Sequence, residues 1–461
     1  MSIFRKKKDV DMTTGSIPGH LIRFALPLLL GNLFQQLYNT VDSWVVGNYV
    51  SNEAFSAVGT ISPIVNLFIS FFSGLSVGAG VVVSQYYGAR KDHKVSEAVH
   101  GGFLLVLSLG IVLSVLGMGL SPLLLRLMNT PPEVFAEANT YMRIYCSGLL
   151  FLVTYNMAAA ILRAVGDTTR PFYYLVATAL INIALDLLFV LRFHMGVAGV
   201  AYATIIAEAV SMILAMVSLM REKGSIRFRF RELFRPKKDI LRSIVRIGLP
   251  SGLQLGITAF SNVFVQSYIN HFGTDVMGGW TCCTKIERVA QMPVQSLNMS
   301  LTTFVGQNIG NGNTERAKKG VKAGFRIGFA VVATVTAISC IFAPQLAAFF
   351  NSKKEVVEAG ALMIRVLMPF FIINLWINSH AGALKGAGDA RSVMYMILSG
   401  YVGFRQIYLY IMSHYISNTM IPIVLGGPVG WLFTMVLITV YYRKNVDRVF
   451  EAAAAKHRPR S

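Results

Sequence analysis

The chain has 461 residues, of which 54% are hydrophobic and only 14% are charged, and its mean hydropathy is +0.56. Soluble globular proteins carry about a quarter charged residues, so this composition excludes a soluble enzyme, a disordered chain and a secreted disulfide scaffold. The 42 Lys and Arg residues outnumber the 22 Asp and Glu residues, giving a formal net charge of +20. In a soluble protein that excess would suggest nucleic-acid binding; here its meaning depends on where the charge lies.

Long apolar segments follow one another along the whole chain. A membrane-spanning helix needs about 20 mostly apolar residues, and the alternating pattern typical of barrel strands is absent. The predicted spans are 21–47, 56–86, 98–125, 138–162, 171–191, 197–220, 243–271, 280–308, 321–349, 358–383, 393–414 and 417–442. These segments predict an all-α integral membrane protein with 12 transmembrane helices.

The basic residues then mark one side of the membrane. If the N-terminus is inside, the inner tails and connections hold 33 of the 42 Lys and Arg residues, and the outer connections hold four. This asymmetry predicts a multi-pass protein of the plasma (inner) membrane with both termini cytoplasmic. Ten basic residues lie in Arg221–Arg246 and are expected to face anionic lipid headgroups, not nucleic acid. Polar residues follow the Arg5–Lys8 run, so we interpret that run as a cytoplasmic anchor and not as a signal peptide.

The two halves of the chain repeat each other at an offset of about 222 residues. Leu26–Pro27 matches Leu249–Pro250, and Gly166–Asp167 matches Gly388–Asp389. Six spans per half give both halves the same orientation, which predicts two six-helix bundles around a central cavity, as in alternating-access transporters. The predicted domains are a tail (1–20), an N-lobe (21–220), a basic linker (221–242), a C-lobe (243–442) and a second tail (443–461).

Four acidic residues lie well inside the predicted spans: Asp42, Asp186, Glu208 and Glu287. An isolated carboxylate within a membrane costs at least about 2.5 kcal/mol, so it usually lines a cavity or binds something. Glu287 neighbours Lys285 and Arg288, and both a salt bridge and a cavity-lining role are open for it. Glu208 is equally open between a structural and a functional role.

Asp42 and Asp186 have the stronger context. The first span carries a polar stripe at positions i, i+3, i+4 and i+7, formed by Gln35, Tyr38, Asn39 and Asp42, which should face the cavity. On the fifth span Asn182 and Asp186 share a face. Two carboxylates and a carboxamide suit a proton or Na⁺. We therefore expect a coupling ion in this half, with no other cofactor and no catalytic residue.

The second half provides an internal comparison. At the positions that correspond to Asp42, Asn182 and Asp186 it has Val265, Phe404 and Tyr408, so ion coupling is predicted only in the first half. The sequence has no G-x-x-x-x-G-K-[ST] motif for ATP, and an ion gradient is the expected energy source. Pro27 and Pro250 are predicted bend points; near Asp42, such a bend could respond to protonation or simply be static.

Several motifs resemble the multidrug and toxic compound extrusion (MATE) family over residues 20–442. They are 38–43 (YNTVDS) with Gly47, 74–78 (GLSVG), 85–89 (QYYGA), 166–168 (GDT) with Pro171, 285–286 (KI) and 307–310 (QNIG). The resemblance implies a twelve-helix exporter that exchanges H⁺ or Na⁺ for small organic cations or amphipathic drugs. It is closest to the DinF-like branch, whose cation site would fall here on Asp42, Asn182, Asp186 and Thr204. Tyr141 and Asn156 would be polar neighbours of that site.

The predicted function is thus a secondary active multidrug efflux antiporter, acting as a monomer in the lipid bilayer. One alternative is a flippase for a lipid-linked saccharide or cell-wall precursor, which should carry a cationic cavity. Another is an intramembrane enzyme, but the eight histidines are scattered and mostly near span ends, so we expect no enzymatic activity.

Overall fold

The structure, a computed structural model, describes residues 11–50, 52–128 and 130–458, with Ser43 and residues 52–55 as backbone only. Within these ranges the regular structure is entirely helical. The α-helices are α1 (Ile17–Tyr49), α2 (Asn52–Gly88), α3 (Asp92–Leu127), α4 (Pro132–Ala164), α5 (Thr169–Leu187), α6 (Gly196–Arg221), α7 (Phe230–Leu233), α8 (Lys238–Asn270), α9 (Thr274–Gly310), α10 (Thr314–Ile341), α11 (Ala343–Ala348), α12 (Lys354–Leu367), α13 (Phe371–Gly386), α14 (Ala390–Leu398), α15 (Arg405–Ile411), α16 (Met420–Val424) and α17 (Gly426–Ala455).

Short π-helical and 3₁₀ turns join some of these helices into longer spans. π-helical turns cover Leu188–Arg192, Ser399–Phe404 and Met412–Ile416, and a 3₁₀ turn covers Met368–Phe370. With these turns included, each predicted span corresponds to one helix or to a run of consecutive helices, and the predicted fold class is confirmed. Among the described residues, nine helical segments are long and apolar enough to cross a membrane.

The helices extend beyond the predicted spans because backbone hydrogen bonding continues where the apolar composition ends. The last span was predicted to end at 442, whereas α17 continues to Ala455. The predicted linker contains the short helix α7 and the beginning of α8. Of the predicted N-terminal tail, residues 1–10 with the Arg5–Lys8 run lie outside the described residues.

The helices group into two compact units, and α1 and α8 are each divided between them. One unit contains Leu30–Gly252 and the other contains Met12–Leu29 together with the chain from Leu253 onwards. Both divisions fall within three residues of a proline, Pro27 in α1 and Pro250 in α8. Each helix remains α-helical through its proline, so a functional bend at Pro27 stays a prediction.

Glycines hold α2 and the first part of α8 together within the first unit. An added Cβ at Gly74 would lie 2.1 Å from the Gly252 nitrogen, and one at Gly78 would lie 2.5 Å from the Ile244 carbonyl oxygen. Both distances are below any normal contact, so only glycine permits this approach. This glycine-rich stretch of α2 therefore serves close helix packing.

In the second unit, small residues of α9 face the first part of α1. Ser300 lies 222 positions beyond Gly78, is fully buried, and donates a hydrogen bond to the Leu21 carbonyl oxygen at 3.3 Å. The segment before α1 is anchored to the same unit. The Met12 N–H donates to Gln307 Oε1 at 3.0 Å, and the Arg316 guanidinium donates to the Thr14 carbonyl oxygen at 2.8 Å.

The repeated Gly-Asp pair forms the same turn in both halves. Gly166 and Gly388 both have a φ of +90°, which favours glycine. In each case the next residue caps the following helix: Asp167 Oδ1 accepts from the Thr169 N–H at 3.0 Å, and Asp389 Oδ1 accepts from the Ser392 N–H at 3.3 Å. The repeat is thus a repeat of local structure as well as of sequence.

Candidate cation site

The polar stripe of α1 lies within the first unit, since its residues follow Leu30. Tyr38 is buried, Gln35 and Asp42 are partly buried, and Asn39 is exposed. The Tyr38 hydroxyl lies within hydrogen-bonding reach of the Gln35 side chain. The stripe therefore faces partly into the unit: Tyr38 is its most buried residue, and Asp42 is partly buried.

α5 supplies the other carboxylate. Asn182 is 1% exposed and Asp186 is completely buried, and their spacing of four residues places them on one face of the helix. The Asp42 and Asp186 carboxyl groups lie close enough to interact electrostatically. The structure thus brings Asp42 close to Asp186, while the ion site on these residues and Asn182 remains a prediction.

This group of polar atoms is not satisfied by the protein. Within the described residues, Asp42 Oδ1, both carboxyl oxygens of Asp186 and both polar side-chain atoms of Asn182 are buried without a hydrogen-bond partner, apart from the contact between the two carboxyl groups themselves. Leaving such groups unpaired costs about 1–3 kcal/mol each, and more when they are charged. Two neighbouring carboxylates could accept a proton or oxygen-coordinate a hard cation, and either would reduce that cost.

α4 contributes aromatic neighbours. Tyr141 is buried close enough to both carboxyl groups to interact with them, and its ring stacks on that of Tyr145 at 6.2 Å. Around this end of the unit, an apolar cluster packs α1, α4 and α6 together and includes Val45, Val46, Met142 and Val200. It holds the helices that carry the carboxylates at fixed positions.

For the other predicted site residues, the described contacts do not include the Asp42 and Asp186 carboxyl groups. Asn156 is partly buried on α4, fifteen residues beyond Tyr141, which is about 22 Å along a helix. The Thr204 hydroxyl on α6 donates to the Val200 carbonyl oxygen of its own helix at 3.0 Å. Glu287 belongs to the second unit, where it lies partly buried near Arg405 and Arg288.

The structure places Glu208, which the predicted site did not include, beside two tyrosines and a serine. Glu208, partly buried on α6, lies close enough to Tyr38 and Tyr145 to interact with both. The Ser211 hydroxyl lies 3.5 Å from Glu208 Oε2. Glu208 was recognisable as an intramembrane acid, but the sequence did not indicate that it shares these two tyrosines with the stripe on α1.

Comparison with known proteins identifies the family of the chain. The MatE family model matches residues 27–188 and again 250–411, so each half is matched separately and the second match is displaced by 223 residues. The two matches cover more than half of the chain and begin at Pro27 and Pro250.

Curated relatives and a solved structure agree with this match. The chain is 25% identical to the probable multidrug resistance protein YoeA of Bacillus subtilis, over 93% of this chain and 95% of that protein. It is 27% identical to the probable multidrug resistance protein YpnP of the same organism, over 95% and 97% respectively. A structure described as the outward-facing conformation of a multidrug resistance MATE family transporter of the MOP superfamily superposes with a TM-score of 0.91 at 24% identity, covering 96% of this chain and 99% of that one. The two family matches, one in each half, show that this chain belongs to the MatE family of membrane transporters.

Proposed function

We propose that the protein is a secondary active efflux antiporter that exchanges H⁺ or Na⁺ for cationic or amphipathic organic compounds by alternating access. The coupling ion binds in the first unit, between α1 and α5, on Asp42, Asn182 and Asp186. The assignment to the DinF-like branch, the monomeric state and the cytoplasmic position of both termini remain predictions.

The observation that carries this proposal is the buried pair of carboxyl groups. Asp42 and Asp186 lie within hydrogen-bonding reach of each other, and among the described residues no other side chain satisfies either oxygen of Asp186. A site of this kind changes its energy strongly when a proton or a hard cation arrives. One cation entering down a potential of 100 mV supplies about 2.3 kcal/mol, enough for roughly a 50-fold gradient of a neutral substrate.

Support for organic substrates comes from the relatives, two of which are named as probable multidrug resistance proteins. The flippase alternative is not favoured, because these names indicate drug export and because the candidate site in the first unit is acidic. A lipid-linked pyrophosphate would require a basic site instead.

The test is efflux of a fluorescent cationic dye from proteoliposomes under Na⁺ and pH gradients that are imposed separately. Wild type should export the dye under at least one of the gradients. Asp42→Asn should reduce gradient-driven efflux by at least about tenfold, because one of the two ion-binding carboxylates is lost.

The matched control is Glu358→Gln, which removes an acid whose side chain is 68% exposed and lies 3.9 Å from Lys354. This variant should transport like wild type. Wild-type efflux that depends on neither gradient, or full gradient-driven efflux by Asp42→Asn, would refute the proposal.

A further inference from the structure

Comparison of the two halves requires a shift of one residue at the eleventh span. The offset is 222 at Gly166–Asp167 and Gly388–Asp389, whereas the two family matches are displaced by 223 at both their beginnings and their ends. The π-helical turn Ser399–Phe404 accounts for the extra residue, because a π-helical turn typically accommodates one inserted residue. No such turn interrupts α5, which is α-helical from Thr169 to Leu187.

After this turn the partners of Asn182 and Asp186 are Arg405 and Leu409, which differs from the sequence prediction of Phe404 and Tyr408. Burial agrees with the shift: Asn182 and Asp186 are 1% and 0% exposed, Arg405 and Leu409 are 7% and 0%, whereas Phe404 is 38% exposed. The earlier prediction was wrong because sequence alone does not reveal a π-helical turn. In the second half, a guanidinium thus takes the place of the carboxamide.

Arg405 joins the two helices that correspond to α1 and α5. Its Nη1 donates to Asn262 Oδ1 at 3.0 Å and its Nη2 donates to Ser261 Oγ at 2.8 Å, both on α8. At the offset of 223 that relates Pro27 to Pro250, Ser261 and Asn262 correspond to Tyr38 and Asn39 of the polar stripe. The guanidinium therefore lies at the second-half counterpart of the candidate cation site.

The charges of the two counterpart sites are opposite. The first-half site has two carboxylates, Asp42 and Asp186, whereas their partners Val265 and Leu409 are apolar. The guanidinium hydrogen bonds to two neutral side chains, and its Nε is buried with no hydrogen-bond partner among the residues that the structure describes. Glu287 interacts electrostatically with Arg405. The two side chains do not form an ion pair in the described part of the chain, so this interaction acts over a longer distance. A buried cation kept under these conditions is costly and calls for a role.

We propose that Arg405 is a built-in cation: it permanently occupies the second-half counterpart of the ion site and holds α8 to α15. It acts as a positioning residue and not as a substrate-binding one. This inference rests on the proposed function. If the first half binds a coupling ion, Arg405 explains why the second half of the duplicated chain needs no external cation.

The first experiment compares Arg405→Lys, Arg405→Gln and Arg405→Met in the purified full-length protein. Arg405→Lys should keep most of its dye efflux, because the charge remains, and should melt somewhat lower, because one ammonium does not replace both guanidinium hydrogen bonds. Arg405→Gln and Arg405→Met should both lose at least about tenfold in efflux, because Glu287 is left without its neighbouring cation. Equal behaviour of the Lys and Gln variants, or loss of export only for anionic dyes, would overturn the proposal.

The second experiment transfers the cation to the first half and remains informative if the Arg405 variants fold poorly. In Asn182→Arg the guanidinium should neutralise Asp42 and Asp186, so Na⁺ or acid should no longer raise the melting temperature. In Asn182→Leu, the neutral comparison, that response should be weakened but still present, because the carboxamide is lost while both carboxyl groups remain. An unchanged ion response in Asn182→Arg would refute the equivalence of the two sites.

The two proposals fail in different ways. If wild type shows neither gradient-driven efflux nor an ion-dependent melting temperature, the proposed antiport function fails. The melting temperatures of the Arg405 series still test whether a positive charge is required at that position. If wild type shows both and the Arg405 variants rank by size or hydrogen bonding instead of charge, only the built-in cation is refuted.

Discussion

At the scale of single residues, the candidate ion site combines complete burial with missing partners. Asp186 is 0% exposed, and among the described residues the only side chain within hydrogen-bonding reach of its carboxyl group is another acid, Asp42. A carboxylate kept for stability would be expected to have a basic or hydrogen-bonding partner. Function, and not stability, is therefore the reason we infer for keeping an acid at this position.

This distinction predicts opposite effects of Asp186→Leu on stability and on transport. Without a coupling ion the variant should melt at or above the wild-type temperature, because a buried carboxyl group whose neighbour is another acid is replaced by an apolar side chain, the one that the counterpart position Leu409 carries. Gradient-driven efflux should be lost. Thermal melts in detergent and proteoliposome efflux measure the two effects, and a fall of more than about 5 °C in melting temperature would instead indicate a structural role.

At the scale of helices, small residues decide which elements approach each other. Gly74 and Gly78 on α2 face Gly248 and Gly252 on α8, and their Cα positions leave no space for a Cβ atom. Ser296 and Ser300 on α9 occupy the corresponding positions of the second half and are buried. These contacts between small residues explain why the first part of α8 packs in the first unit and the first part of α1 packs in the second.

The variant Gly78→Ala should therefore destabilise the protein. Its Cβ would lie 2.5 Å from the Ile244 carbonyl oxygen and 2.6 Å from the Gly248 nitrogen, so the two helix backbones must separate. We expect the melting temperature to fall by several degrees, from an overpacking cost of about 1–3 kcal/mol. Gly59→Ala is the matched control on the same helix, because no atom lies within 4 Å of its added Cβ; equal melting temperatures for the two variants would contradict this account.

The basic linker is also packed against a helix. Phe228 is 3% exposed and stacks on the His100 ring of α3, and the Arg229 N–H donates to His100 Nε2 at 2.9 Å. Glu232 on α7 accepts a hydrogen bond from the Ser96 hydroxyl at 2.8 Å. That hydrogen bond, followed by the one from the Arg229 guanidinium, lowers the pKa of Glu232 below its ordinary value of 4.5.

Because the pKa of Glu232 is lower in the folded protein, its contribution is present above about pH 4.5 and is lost as the pH falls through the lowered value. The hydrogen-exchange protection factors of residues 222–237 (the intrinsic rate at each pH divided by the observed rate) should therefore fall on strong acidification in wild type. Glu232→Gln should exchange faster already at pH 7 and respond less to acid. A linker that exchanges at the same rate in both proteins at pH 7 would show that this carboxylate does not hold it.

At the scale of the whole molecule, two helices connect the two halves of the chain, because the first part of each belongs to the other unit. Met12–Leu29 clusters with the second unit and the part of α8 up to Gly252 clusters with the first, so α1 and α8 each continue from one unit into the other. The division near Pro27 lies three turns before Asp42. Alternating access, if it occurs as proposed, must involve these two helices.

A reversible cross-link tests that requirement. In a background without the four free cysteines, Leu21→Cys with Ser300→Cys places two thiols where Ser300 now hydrogen bonds to Leu21. A short bifunctional maleimide with a reducible linkage should join them and stop efflux, and reduction should restore it. Full efflux from completely cross-linked protein would mean that this contact does not open during transport; each single-cysteine variant controls for modification alone.

Much of the architecture was determined by the sequence alone. Long apolar segments predict membrane helices because no other hydrogen-bonded structure satisfies a backbone in lipid except a closed barrel. The repeated Leu-Pro, Gln-x-x-Gly and Gly-Asp pairs predicted the duplication, and the i, i+3, i+4, i+7 stripe predicted that Asp42 shares a face with Tyr38. These are local or periodic signals, and a single helix is enough to express them.

Only the tertiary structure decided which side chains meet across helices. It brought Asp42 to Asp186 and Tyr141, added Glu208 next to Tyr38 and Tyr145, and left Asn156 far along α4. It also replaced Phe404 by Arg405 as the partner of Asn182, because one π-helical turn rotates every later side chain by about 100°. Hydropathy contains no information on such a rotation, whereas packing of the helix against its neighbours determines it.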